Sequence, residues 1–272
     1  MTTPDEAKAR AAATYNAAAD FYDDPANSFW ARFGRETIER VKLPQGARVL
    51  DVCSGSGASA IPAAQAVGPG GSVLAVDLAK NLLALARGKA GALGLKNIEF
   101  RNGDLLDPAI PASHFDAVIC VFGIFFVPDM QAAVRALWRT VRPRGRLVIT
   151  TWGPNFFEPG SAAFWNSIRA ERPDLHKSFN PWDRISDPQS VRALLQSGGA
   201  ERIEVVAVAG THPIPSPEAW WAAVLGSGYR GTVDQLEAAA KERVREANLS
   251  FVRESGLRAV EANVVYAIAT KA

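Results

Sequence analysis

The sequence predicts an α/β fold whose core is a doubly wound, mostly parallel sheet of seven strands. Short apolar runs alternate with longer helical segments up to about residue 152, which is typical of parallel strands covered by helices on both faces. A chain of 272 residues with 48% hydrophobic and 21% charged side chains can bury one large core. Closely spaced glycines follow the first apolar run, so this strand is expected to lead into a ligand-binding turn.

The elements are predicted from apolar runs and from helical periodicity between breaking residues. The expected strands are Arg48–Val52, Ser72–Asp77, Ile98–Arg101, Phe115–Phe122, Arg146–Thr151, Arg202–Ala209 and Val260–Thr270. The expected helices are Ala7–Asp20, Phe29–Val41, Ala58–Val67, Lys80–Leu93, Asp129–Val141, Pro188–Gly198 and one from Val233 to about Glu254.

The predicted organisation is an N-terminal helical leader over 1–45, acting as a lid, followed by one binding domain over 46–272. Two insertions follow, about 152–188 after the fifth strand, which is rich in Pro, Phe and Trp, and 212–230 after the sixth, which carries Trp220 and Trp221. Both are expected to cover the carboxyl edge of the sheet, where ligands of such folds bind.

Charge and cysteine usage exclude several classes of protein. The net charge of +2 comes from 30 basic and 28 acidic residues, so no strong field would attract nucleic acid or an anionic membrane. Cys53 and Cys120 lie in apolar runs, which indicates neither a disulfide framework nor a metal site. We therefore expect no bound metal. The sequence shows no signal-peptide pattern and no apolar stretch near the roughly 18 residues of a membrane span, so we expect a cytoplasmic protein.

The glycine-rich turn after the first strand allows two interpretations. Gly55–Ala60 matches the dinucleotide fingerprint G-x-G-x-x-A, and Asp77 follows Gly57 by 20 residues, where a ribose ligand is expected. On this pattern alone, NAD remains an alternative cofactor.

Two acidic residues favour S-adenosylmethionine (SAM) over NAD. Asp51 lies four residues before Gly55, where a carboxylate suits the amino group of SAM and would repel a pyrophosphate. Asp104 follows the third strand and can accept a hydrogen bond from an adenine amino group. The sequence also contains no Tyr-x-x-x-Lys pair and no second nucleotide-binding half, so an NAD-dependent oxidoreductase is the less favoured alternative.

These motifs resemble those of class I SAM-dependent methyltransferases. Asp51–Gly57 resembles the first motif of that family, Asp77 its ribose-binding acid and Asp104 its adenine-side acid. Val121–Asp129 is similar to the exit from the fourth strand in the ubiquinone/menaquinone-type C-methyltransferases and their small-molecule relatives. Val141–Leu147 resembles the R-P-G-G turn into the fifth strand.

The resemblance covers about residues 46 to 152 and has two departures. Cys53 stands where the first glycine of the motif often lies, and Arg144 replaces the first glycine of the R-P-G-G turn. The resemblance implies a Rossmann-like methyltransferase fold with SAM as cofactor. The residues expected to bind SAM are Asp51, Cys53, Ser54, Gly55, Gly57, Asp77, Leu78, Gly103, Asp104, Leu105 and Val121.

Catalysis and acceptor binding are predicted from the insertions. His176 and His212 are candidate general bases, although methyl transfer chiefly needs alignment of donor and acceptor and uses a base only where the acceptor loses a proton. The candidate acceptor-binding residues are Phe125, Phe126, Trp152, Phe157, Trp165, Trp182 and Trp221. They indicate a small, apolar or aromatic acceptor methylated on O, N or C. A non-catalytic SAM-fold binding protein is the alternative, and a homodimer is compatible with the sequence.

Overall fold

The structure is a computed structural model that describes residues 4–107 and 109–272. Within those residues the strands are β1 Arg48–Val52, β2 Ser72–Asp77, β3 Ile98–Asn102, β4 Phe115–Val121, β5 Val141–Trp152, β6 Ile203–Val208, β7 Thr211–Pro213, β8 Ala259–Glu261 and β9 Val264–Thr270. The α-helices are α1 Pro4–Tyr22, α2 Phe29–Val41, α3 Ala60–Val67, α4 Lys80–Ala92, α5 Met130–Thr140, α6 Gly160–Glu171, α7 Pro188–Ser197, α8 Pro217–Leu225, α9 Arg230–Val233 and α10 Ala238–Ser255. Short 3-10 helices occur at Pro25–Asn27, Ile124–Phe126, Pro173–Leu175 and Pro181–Ile185. Of the helices described, none has the length and apolar character needed to cross a membrane.

Seven strands form one sheet in the order β3-β2-β1-β4-β5-β9-β6. The strands from β3 to β5 pair in parallel, and β9 lies antiparallel between β5 and β6. In the central strand β1, Val49, Leu50 and Val52 are fully buried, as expected for a strand covered on both faces. The predicted doubly wound, mostly parallel sheet of seven strands is therefore confirmed.

The chain forms two strands where the sequence predicts one over Val260–Thr270. β8 pairs with β7 in a separate two-stranded sheet, and only β9 joins the main sheet. Asn263 separates them, because its carbonyl accepts from the Gly153 amide (2.7 Å) and its Oδ1 accepts from the Gly210 amide (3.0 Å). These partners are distant in sequence, so the apolar pattern does not reveal the break.

The helix α2 of the predicted leader packs directly on the sheet. Thr37 of α2 shares a buried hydrogen bond of 2.9 Å with Thr150 of β5. Gly34 allows α2 to approach the turn before α3 closely, since a Cβ there would lie 2.3 Å from the carbonyl oxygen of Ala58. The leader and the sheet therefore share one packed interior.

The predicted cover insertions contribute α6 and α8, which pack together with α10. Trp220 Nε1 donates to Asn248 Oδ1 (2.9 Å), and Asn248 Nδ2 donates to Ser167 Oγ (3.0 Å). Buried polar groups that are hydrogen-bonded in this way help to specify one packing arrangement. The cover thus has an interior of its own, in which aromatic side chains find packing partners.

Candidate active site

A cleft opens at the carboxyl ends of β1, β2 and β4 and holds about 780 Å³ of empty space, including open solvent at its mouth. Ligands of doubly wound sheets bind at this edge, where the strand order changes direction. The helices α1 and α2 contribute Tyr15, Tyr22 and Trp30 to its wall. The predicted cofactor residues that line it are Cys53, Gly55, Asp77, Leu78, Gly103, Asp104, Leu105 and Val121.

The other predicted cofactor residues, Asp51, Ser54 and Gly57, are buried and lie outside the cleft wall. Ser54 donates its amide to the Val76 carbonyl (3.1 Å) and accepts from the Gly57 amide (2.8 Å), which closes the turn after β1. Gly57 has a φ of 86°, a conformation that favours glycine. In the structure these residues shape the loop, and direct contact with the cofactor stays a prediction.

Asp77 joins the floor of the cleft to the glycine-rich loop. Its Oδ2 accepts from the Gly55 amide at 2.8 Å and its Oδ1 from the Ala79 amide at 2.7 Å. Burial raises the pKa of Asp77, and these backbone hydrogen bonds oppose the rise. Because each carboxylate oxygen has a second lone pair, Asp77 can also accept hydrogen bonds from a ligand hydroxyl.

The carboxyl group of Asp51 is fully buried at the end of β1. Ser59 Oγ donates to Oδ2 at 2.7 Å, whereas Oδ1 has no hydrogen-bond partner among the described residues. Burial raises the pKa of Asp51 to about 7, against the effect of the Ser59 hydrogen bond and with a further rise from the charge of Asp77. An unpaired buried carboxylate oxygen is costly, so this position favours a ligand group that donates a hydrogen bond or carries positive charge.

Asp104 connects the loop after β3 to the N-terminal helix. Its Oδ1 accepts from the Leu106 amide at 2.9 Å, and its Oδ2 lies 2.5 Å from Lys8 Nζ in α1. The hydrogen bond to Asp104 raises the pKa of Lys8, so the lysine is charged at neutral pH. Both residues line the cleft, and their ion pair ties α1 to the loop after β3.

The exits from β1 and β4 meet at the base of the cleft in unusual backbone conformations. Cys53 has a φ of 56° and Phe122 a φ of 53°, both in the left-handed region that non-glycine residues rarely adopt. This explains why β4 ends at Val121 rather than at Phe122, and why glycine is common at the position of Cys53. Gly123, which follows Phe122, packs closely against the β1 exit, because a Cβ on it would lie 2.3 Å from Cys53 Cβ. Such strain is typical of a functional site.

Tyr15 and Tyr22 were not predicted as site residues, although both line the cleft. They are seven residues apart in α1, a spacing that puts them on one face of the helix. That spacing was a usable signal, but the Ala-rich composition of the helix indicated only a leader. The end of α1 also reaches the glycine-rich loop, where Asp23 Oδ1 accepts from Ser56 Oγ at 2.6 Å.

Neither candidate histidine lies in the cleft wall. His212 is buried next to Phe29, with its Nε2 at 2.7 Å from the Ala26 carbonyl oxygen, and burial lowers its pKa. His176 lies beside Trp165, and its Nε2 is 2.7 Å from Arg169 Nη2. The structure therefore does not bring them together with the predicted cofactor residues, and their catalytic role stays a prediction.

Of the predicted acceptor-binding aromatics, Phe126 lines the cleft. Trp152 lies behind the wall, where it stacks on Phe122 with ring centroids 3.9 Å apart. The others are buried in the aromatic core under the cover, namely Phe125, Phe157, Trp165, Trp182 and Trp221. Direct contact between these residues and an acceptor stays a prediction, while their packing behind the wall is what the structure describes.

Comparison with known proteins bears on this site. The family described as "Methyltransferase domain" matches residues 49–145. The chain is 29% identical over 248 residues to nocamycin O-methyltransferase of Saccharothrix syringae, covering 88% of this chain and 80% of that protein. It is 33% identical over 150 residues to demethylmenaquinone methyltransferase of Listeria welshimeri, covering 54% of this chain and 63% of that protein. The chain therefore matches somewhat under two thirds of the latter relative's length.

Among solved structures, a SAM-dependent methyltransferase from Aquifex aeolicus superimposes with a TM-score of 0.54 at 22% identity, covering 69% of this chain and 89% of that one. At this identity the match concerns the fold alone, which is the Rossmann-like methyltransferase sheet described above. The family match over residues 49–145 and the two relatives support a class I SAM-dependent methyltransferase. These comparisons support SAM rather than NAD as the cofactor.

Proposed function

We propose that the protein transfers the methyl group of SAM to a small, apolar or aromatic molecule. The observation that carries the proposal is one cleft in which the acidic floor at Asp77 and Asp104 meets an aromatic wall. Binding sites for small molecules commonly combine apolar walls with a few placed polar groups. The acceptor class is also supported by the two relatives, which are named for methylating nocamycin and demethylmenaquinone.

Each of the three acidic residues near the cleft suits a different part of SAM. Asp77 would accept hydrogen bonds from the ribose hydroxyls while continuing to hold Gly55, and Asp104 would accept from the adenine amino group. Asp51 lies outside the cleft wall, and its Oδ1, which has no hydrogen-bond partner among the described residues, would suit a positive amino group placed next to it. When bound here, SAM supplies an activated methyl group.

The aromatic wall would hold the acceptor beside the strand exits. Trp30, Phe122 and Phe126 provide apolar surface there, and Trp152 supports Phe122 from behind. Since no described histidine lines the cleft, we propose that the chain contributes alignment and exclusion of water rather than a histidine base. The net charge is +2, and the basic residues are spread along the sequence among acidic ones, so a strong attraction to nucleic acid is not expected. We therefore propose free small molecules in the cytoplasm as the substrates.

Methyl transfer can be tested with SAM that carries a deuterated methyl group. The protein is incubated with phenol, quinone-like, carboxylic-acid and amine acceptors, and products are detected by mass spectrometry. We expect a labelled product from at least one apolar acceptor class, and loss of that product with Asp77→Ala. Binding of SAM without transfer to any acceptor would instead favour the non-catalytic alternative, in which the fold serves only to bind.

A further inference from the structure

The two cysteines of the chain meet at the base of the cleft, and both are free thiols. Cys53 follows β1, and Cys120 lies in β4, which pairs with β1 in parallel. Both sulfur atoms lie close to one point, because a Cβ on Gly123 would be 2.7 Å from Cys53 Sγ and 3.1 Å from Cys120 Sγ. The residues are distant in sequence, so the pairing of β1 with β4 is what brings the two thiols together.

The register of the two strands suits a bond between these thiols. Val52, the residue before Cys53, is the partner of Cys120 in the sheet. Strand spacing and rise per residue place such a diagonal pair of Cα atoms about 6 Å apart. Disulfides commonly join Cα atoms that are roughly 4.4–6.8 Å apart. Both cysteine side chains also pack on the same apolar core, so their directions permit the bond as well.

The two thiols differ in their access to the cleft. Cys53 is partly exposed and lines the cleft, whereas Cys120 is fully buried behind it. A reagent that enters the cleft therefore meets Cys53 first, and Cys120 is the neighbouring thiol that can react next. Contact with Cys120 and burial raise the pKa of Cys53, and the charges of Asp77 and Asp51 add to the rise. Because a protonated thiol reacts slowly, the pair stays reduced until an oxidant is abundant.

We propose that Cys53 and Cys120 are an oxidative modification site, at which a hydroperoxide converts the two thiols into a disulfide and so weakens cofactor binding. The Cys53 sulfur attacks one peroxide oxygen, the O–O bond breaks, and an alcohol leaves, so that Cys53 carries a sulfenic acid. The Cys120 sulfur then displaces the hydroxyl of that group as water and forms the S–S bond. Two electrons pass from the sulfurs to the peroxide, and the thiol protons leave in the alcohol and the water. The effect on binding rests on the proposed SAM site.

The disulfide would move Cys53 rather than Cys120. It holds its sulfur atoms about 2.05 Å apart, which is closer than two free thiols can approach. Cys120 is fixed in β4 between two paired strands, whereas Cys53 lies beyond the end of β1. Two residues further on, the Gly55 amide donates to Asp77 Oδ2 at 2.8 Å. A displacement of Cys53 therefore disturbs the glycine-rich loop and the carboxylate proposed to bind the ribose.

The test measures S-adenosylhomocysteine binding to the full chain by calorimetry, before and after treatment with hydrogen peroxide. Alkylation of the unfolded protein followed by mass spectrometry reports the thiols, since a disulfide leaves both cysteines unalkylated and removes two hydrogen atoms. We expect one intramolecular disulfide and an affinity weakened about tenfold or more, and dithiothreitol should reverse both changes.

Two variants separate the disulfide from other effects of peroxide. Cys120→Ala lies outside the cleft wall, so the reduced variant should bind S-adenosylhomocysteine as the unmodified protein does. After oxidation it should form no intramolecular disulfide and should keep a sulfenic acid at Cys53, which dimedone traps. Cys53→Gly removes the attacking thiol at a position whose φ of 56° suits glycine, and its own affinity should be the same before and after peroxide.

Four results would overturn the inference. Oxidation of Cys53 without an intramolecular disulfide would show that the thiols do not reach each other. A disulfide that leaves the affinity unchanged would show that the bond does not affect the cofactor site. An equal loss of affinity in Cys53→Gly would assign the effect of peroxide to another residue. Failure of the reduced, unmodified protein to bind S-adenosylhomocysteine would refute the SAM site on which the inference rests, and the mass measurement distinguishes that failure from a failure of the thiols to join. Thermal unfolding of each variant checks that the fold is retained.

Discussion

The buried carboxyl group of Asp51 makes the stability of the cofactor-free protein depend on pH. Burial raises its pKa from 3.8 to about 7, with the charge of Asp77 adding to the rise and the hydrogen bond from Ser59 opposing it. The folded chain therefore binds this proton more tightly than the unfolded chain does. Between these two pKa values the free energy of unfolding falls as the pH increases, and above them the loss is complete.

Replacing Asp51 with Asn removes the buried charge and keeps the size of the side chain. A rise of about three pKa units corresponds to roughly 4 kcal/mol once the pH exceeds both values. We therefore expect Asp51→Asn to be more stable than the unmodified protein by up to about 4 kcal/mol at about pH 8.5. Toward about pH 5 the advantage should fall to less than half, because the native carboxyl group is then protonated.

Urea unfolding of both proteins without cofactor, followed by circular dichroism across this pH range, measures the difference. Asp116→Asn is a control of opposite sign: burial favours a higher pKa, but the Arg48 amide and the Arg142 guanidinium prevail and lower the pKa of Asp116. Removing that carboxylate should therefore cost stability at high pH. The reasoning is refuted if Asp51→Asn gains no stability at about pH 8.5, or if its advantage is independent of pH.

Three further substitutions test the site and its strained backbone. Asp77→Ala should weaken S-adenosylhomocysteine binding about 100-fold or more in calorimetry, because the ribose acceptors and the support of the loop are both lost; an unchanged affinity would mean that the ribose lies elsewhere. Gly123→Ala should destabilise the protein by about 2 kcal/mol in urea unfolding, because the new Cβ would lie 2.3 Å from Cys53 Cβ. Gly88→Ala is the control: this glycine lies in α4 with open space around it, so the substitution should stabilise the protein by about 0.5–1 kcal/mol. Equal changes in stability for the two variants would contradict this packing. Arg144→Gly should stabilise the protein by about 0.5–1 kcal/mol, because Arg144 is exposed with a φ of 62°, and a loss of stability would show that its side chain matters more than its backbone.

The sheet is predictable from the sequence because its strands are buried on both faces. A continuous apolar run such as the one around Val49 and Leu50 is visible without knowledge of any partner strand. The break at Asn263 is not visible, since it depends on hydrogen bonds from Gly153 and Gly210, which only the folded chain brings near. Local patterns thus predict elements, and long-range hydrogen bonds decide where some of them end.

The floor of the site is predictable for a related reason, and the wall is not. Asp77 and Asp104 follow strand ends, and parallel strands bring those ends to one edge, so both line the cleft. An aromatic residue such as Trp152 suits a core as well as a pocket, and the sequence alone does not distinguish the two. Tyr15 and Tyr22 lie in a helix far from the glycine-rich loop in sequence, and only the packing of α1 brings them to the site.

The central claim is that the cleft at the carboxyl ends of β1, β2 and β4 binds SAM. Calorimetric titration of the full chain with S-adenosylhomocysteine, and in parallel with NADH, tests it most directly. We predict saturable binding of S-adenosylhomocysteine at one site per chain and no binding of NADH. Absence of S-adenosylhomocysteine binding at high micromolar concentrations, with NADH bound instead, would contradict the claim.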